Sequence, residues 1–164
     1  MSSTVDDSSW GESKVRLFRA LNGISASAEH LTMAELEQAY REVEHKFLSS
    51  NLPEPLALEV KRHVAARILG DNMGFEDCDV DWCAERFAEL ERMGFPGLVQ
   101  RVGTTLHYCK HMIDCGEKQE AAARLYDLES AIEADTSGAK SQLEAEVHST
   151  ISSMLQECST NPTS

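Results

Sequence analysis

The sequence predicts an all-α protein, a bundle of about seven helices that ends in a helical hairpin. Three observations lead there. Apolar residues recur every three to four positions along most of the chain, and Ser, Thr, Asp, Pro and Gly fall where such stretches would start and stop. No segment alternates apolar and polar residues with the period of two that a half-buried strand requires.

The first helix is expected from about Trp10 to Asn22, with Trp10, Leu17 and Leu21 on one side, Phe18 beside them and Asn22-Gly23 as its stop. The second carries a single stripe of Met33, Leu36, Tyr40, Val43 and Phe47 opposite a Glu, Gln, Arg and Lys face. Its start is written locally: Thr32 and Glu35 form a capping box, and Leu31 can staple onto Leu36. Asn51-Leu52-Pro53-Glu54-Pro55 breaks that helix, because proline removes a donor and pushes its predecessor out of helical angles. Pro55 then suits the first turn of a third helix reaching about Leu69. Here Leu56, Val60, Val64 and Ile68 form one stripe and Leu58, Ala65 and Leu69 another, which predicts a helix sandwiched at the centre of the core.

A loop from Gly70 to Cys78 is expected next, then a fourth helix opened by Asp79 or Asp81, bearing Val80, Cys83, Phe87 and Leu90, and closed by Gly94. Pro96 opens a fifth helix whose core stripe reads Val99, Val102, Leu106, Cys109 and Ile113, up to Gly116. Beyond Glu117 the chain is richer in Ala, Glu, Leu and Ser. Ala121, Leu125, Leu128 and Ile132 keep a coiled-coil-like spacing, whereas Leu143, Val147, Ile151, Met154 and Cys158 lie in another register after Thr136-Ser137-Gly138. The change of register reads as a hairpin, with an interrupted long helix as the alternative. The domain organisation is therefore a polar tail at 1–9, a helical bundle at 10–116, a C-terminal hairpin at 117–158 and a second polar tail at 159–164.

At 164 residues, with 41% hydrophobic and 26% charged residues, the chain has an ordinary globular composition and enough apolar material for one sizeable core. Its net charge of −13 disfavours direct nucleic-acid contact and anionic membranes, where binding depends on Lys and Arg. Five irregularly spaced cysteines do not form the even set of a secreted disulfide scaffold. The polar start has no signal-peptide character and no window spans a membrane, so the expected location is cytoplasmic or nuclear.

Chemistry-bearing motifs are few. His107, His111 and Cys115, spaced by four, align along one side of the fifth helix, a spacing at which imidazole and thiolate can share a zinc ion; a further ligand would have to come from Cys78 or Cys83. The competing reading is surface histidines and ordinary half-buried thiols. Asp77, Asp79 and Asp81 imitate half a calcium loop, but Trp82 and Ala88 stand where glycine and a bidentate carboxylate are needed, so helix capping is expected instead. Nucleophile elbows, dinucleotide fingerprints and phosphate-binding loops are missing from the sequence, and the chain reads as a non-enzyme without a cofactor.

The stretch Arg86-Phe87-Ala88-Glu89-Leu90-Glu91-Arg92-Met93-Gly94-Phe95, followed by Leu98, Val99, Arg101, Val102 and Leu106 and a Leu/Glu-rich tail, resembles the helical C-terminal regions of plant agenet-type proteins and the coiled-coil tails of plant MATH-domain proteins. The resemblance covers roughly residues 80–150 and implies self-association or partner binding. It transfers no site residue. The expected function is thus a helical interaction or oligomerisation module acting as an adaptor or regulatory domain, with a protein partner or a second copy as in a homodimer. Its candidate anchors are Leu143, Val147, Ile151 and Met154, a stripe that would otherwise be intramolecular core. The alternative is a metal-binding or redox-responsive helical protein using His107, His111 and Cys115.

Overall fold

A computed structural model describes residues 7–73, 78–136, 138, 140, 143 and 146–159, with the backbone alone for 7–10. The Trp10 side chain, Asp77 and the outer parts of both expected tails lie outside the described residues. Seven α-helices are described: α1 (Asp7–Ala26), α2 (Met33–Leu48), α3 (Glu54–Asn72), α4 (Val80–Met93), α5 (Leu98–Asp114), α6 (Lys118–Ala134) and α7 (Glu146–Ser159), with one 3-10 turn at Ala28–His30 between α1 and α2. They pack as a bundle, and the described residues contain no strand.

The local start signals hold. Thr32 Oγ1 accepts from the Glu35 amide at 3.1 Å while the Glu35 carboxylate accepts from the Thr32 amide at 2.9 Å, completing the box at the head of α2. Asp79 caps α4 by accepting from the Trp82 amide at 3.2 Å. Asn51 takes a left-handed φ of 58° between α2 and α3, a conformation asparagine tolerates better than most residues. Gly94 ends α4 at φ 96°, and a Cβ there would lie 3.0 Å from the Arg62 guanidinium, whose Nε donates to the Met93 carbonyl.

Four boundaries differ from expectation. Asp7–Ser9, expected in the tail, belong to α1, and α1 continues through Asn22-Gly23 to Ala26. A mid-helix glycine costs up to about 1 kcal/mol. Tertiary contacts offset it, for Arg67 donates to Asn22 Oδ1 at 2.7 Å and Ser25 donates to Asp71 at 2.8 Å. Likewise α3 runs past Leu69 and Gly70 to Asn72, whose buried amide donates to the Ile68 carbonyl at 2.8 Å. The next described α-helix after α6 begins at Glu146, beyond the three-residue break expected.

Helix α3 has two buried faces, as its stripes predict, and contacts α1, α2, α4 and α5. Val60, Val64 and Ile68 pack with Leu17 and Leu21 of α1 and Leu36 and Tyr40 of α2. Ala65 and Leu69 face a second cluster built by Cys83, Phe87 and Leu90 of α4, Val102, Tyr108, Cys109 and Met112 of α5, and the α6 stripe of Ala121, Leu125, Leu128 and Ile132. Phe87 and Tyr108 stack at 4.2 Å within it. Burying each such side chain is worth about 1.5–3 kcal/mol. Leu56 and Leu58, at the head of α3, are only half-buried.

The face of α5 is turned from the expected one. Val102 and Cys109 are buried as expected, but Thr105, Tyr108 and Met112 join them, while Leu106 and Ile113 are half-buried and Val99 is 42% exposed. The helix is rotated by somewhat less than one residue step because the larger Tyr108 and Met112 side chains take the space between α4 and α6. This rotation matters for the site.

Helix α6 packs on both α5 and α7. Cys158, near the end of α7, lies within electrostatic reach of Cys109 and of Lys118 at the start of α6, so α7 runs antiparallel to α6 and closes the expected hairpin. No helix among the described residues is long and apolar enough to cross a membrane.

Candidate metal centre

The α7 stripe proposed as a partner surface is occupied by the chain itself. Ile151 is 1% exposed within the second cluster, and Leu143, Val147 and Met154 are half-buried against it. Helix α7 packs on both α5 and α6, which turns this stripe toward them. Ile151 is a core contact, and Leu143, Val147 and Met154 pack against the same cluster with part of each side chain exposed.

The histidine and cysteine spacing leads somewhere else. Cys78 immediately precedes the Asp79 cap, and the capped first turn of α4 brings Cys83 back over it, with the two sulfurs 3.0 Å apart. Rotation of α5 carries His111 to the edge of the core, facing this pair. The Cys78 and Cys83 sulfurs and a His111 ring nitrogen all lie within 4.8 Å of one another. Cys115, one turn beyond His111 at the end of α5, holds its sulfur 3.9 Å from His111 Nε2. The same rotation turns His107 to solvent, so of the expected trio His111 lies with Cys78 and Cys83, and Cys115 adjoins that group through the His111 ring.

Burial separates the four. Cys78 and Cys83 are buried, His111 is half-buried and Cys115 is exposed. Desolvation pushes the Cys83 thiol well above its ordinary range, and its hydrogen bond with Cys78 pushes in the same direction. At neutral pH it therefore stays protonated unless a cation is present, whereas a coordinated divalent ion removes a thiol proton outright. Tetrahedral zinc with Zn–S bonds of about 2.3 Å places its ligand atoms about 3.7 Å apart, a spacing bracketed by those seen here. Two sulfurs and an imidazole, with a third sulfur beside the imidazole, suit a soft or borderline cation such as zinc and suit poorly the hard cations that prefer oxygen.

Cys109 is a core thiol, as its place on the α5 stripe predicts: its Sγ–H points at the Ala121 carbonyl at 3.5 Å, and burial raises it to about 12. Other polar groupings are structural ties. Asp71 accepts from Tyr40 and Ser25, joining the ends of α1 and α3 to α2. Arg124 of α6 spans Glu91 of α4 at 2.8 Å and Glu120 at 2.9 Å. A depression between α1, α3 and α5 is lined by Phe18, His63, Ala66, Arg67, Gln100 and Thr104, a set without a carboxylate. His63 in its floor is held below its ordinary pKa by burial, with Glu59 3.9 Å away.

Comparison with known proteins assigns no further role to these residues: no family model matches the chain, and neither a curated protein nor a solved structure matches it.

Proposed function

We propose that this chain is a non-catalytic helical module stapled by one zinc ion, which Cys78, Cys83, His111 and Cys115 hold between the head of α4 and the tail of α5. The observation that carries this reading is the convergence of two buried thiols and an imidazole nitrogen within 4.8 Å, brought together from the entry to α4, its first turn and the last turn of α5. Buried cysteines alone are common core residues. An imidazole set against two thiols at the margin of a core is a ligand arrangement.

The module then acts by presenting surface to a protein partner or a second copy, with the ion fixing how α4 and α5 meet. Its large exposed apolar residues among those described are Val15, Val99 and Tyr126, and these support a docking face outside α7.

Elemental analysis of protein purified under reducing conditions without chelator tests the reading. About one zinc per chain is expected, with loss of most of it in Cys83→Ser. Absence of bound zinc, together with no rise in melting temperature when zinc is added to the reduced protein, overturns it.

A further inference from the structure

We propose that Cys78 and Cys83 form a peroxide-responsive dithiol whose oxidation to a disulfide expels the zinc ion; this rests on the metal reading above. The geometry singles out this pair. Their sulfurs are 3.0 Å apart, held there by the capped first turn of α4, so a bond between them requires an approach of about 1 Å and no rearrangement of helices. Cys115 has the opposite situation: it is exposed, and its close neighbour is the His111 ring.

The chemistry balances with hydrogen peroxide as the oxidant. One thiolate of the pair attacks a peroxide oxygen, the O–O bond breaks, and with one proton taken from water the products are a sulfenic acid and water. The second thiolate attacks that sulfur and, with a second proton, displaces the hydroxyl as another water, leaving the disulfide. Two electrons pass from the sulfurs to the peroxide, and zinc departs as the divalent ion without changing its oxidation state. A disulfide sulfur is neutral and a weak ligand, so only His111 and Cys115 remain, too few to retain the ion.

Location gives the switch an outcome. Cys78 and Cys83 both belong to the second core cluster, so a change at this pair acts directly on the packing of α4 against α5.

The test treats zinc-loaded protein with hydrogen peroxide, follows released zinc with a chromophoric chelator, and maps cysteines by mass spectrometry. One zinc is expected to be released per disulfide formed, the disulfide joining Cys78 to Cys83, with rebinding after a thiol reductant is added. Cys115→Ser is expected to form the same disulfide. Zinc release accompanied only by modification of Cys115, or by a disulfide that includes Cys115, overturns the proposal, as does retention of zinc after the Cys78–Cys83 disulfide has formed. Failure of the metal reading is recognised separately, as protein that never carries zinc before oxidant is added.

Discussion

The two faces of α3 look onto cores of different chemistry. One is made of Leu17, Leu21, Leu36, Tyr40, Val60, Val64 and Ile68, and contains no thiol. The other brings Cys78, Cys83 and Cys109 among its buried side chains and Cys158 at its margin. The first is closed at its edge by hydrogen bonds in which Tyr40, Ser25 and Asp71 satisfy one another. The second ends in a cluster of ligand atoms that need a cation to be satisfied in their charged form. The difference teaches that one side of this bundle is closed by apolar packing and a hydroxyl–carboxylate network, whereas the other combines apolar packing with thiols and an imidazole, the groups on which the proposed zinc site and dithiol rest.

Adjacent residues on α3 test that division most severely. Ile68→Ala and Leu69→Ala each remove a fully buried side chain and are each expected to cost about 2–5 kcal/mol in urea unfolding followed by circular dichroism. Only Leu69→Ala, which faces the thiol-bearing side, should also make zinc easier to remove with a competing chelator. Equal weakening of zinc retention by Ile68→Ala would erase the distinction between the faces.

A smaller effect is expected from Tyr40→Phe, about 1–2 kcal/mol, because Asp71 loses a donor while Ser25 still bonds to it. Burial first, then Asp71, raises the Tyr40 hydroxyl from 10.0 to about 12. The folded chain therefore holds this proton more tightly than the unfolded chain. The resulting stability is whole below about pH 10 and is lost as pH rises toward 12. Unfolding curves collected across that range should fall more steeply for the parent than for Tyr40→Phe, and parallel curves would remove Tyr40 from the account.

The smallest effect belongs to the head of α2. Thr32→Ala breaks the capping box and should cost about 1 kcal/mol, visible as a shifted urea midpoint with an unchanged slope. Because α2 contributes to the thiol-free core, zinc content should stay at the parent value.

How much of this was legible in the sequence depends on the range of the signal. The starts of α2 and α4 and the stripe of α6 were readable because a capping box, an aspartate cap and a regular apolar spacing lie within a few residues of one another. The two faces of α3 were readable because its branched and small apolar residues fall on separate arcs. The buried face of α5 was not, since Val99, Leu106 and Ile113 compete with Tyr108 and Met112 on overlapping arcs, and neighbouring helices decide between them. That one rotation explains the mixed outcome at the site. His111, Cys115 and a contribution from Cys78 or Cys83 could be named from the sequence, but that both of those sulfurs lie beside His111 while His107 turns away depends on packing between helices. The α7 stripe was recognisable as apolar, yet no local feature says whether such a stripe meets its own chain or another.

Because α3 serves as a party wall, with side chains seated in rooms on either flank, it is screened from water on two sides. Opening either room exposes one side of the same partition, so heat or denaturant taken up by one half must be shared with the other. The bundle should accordingly behave as a single cooperative unit, and α3 should be the last of its segments to open.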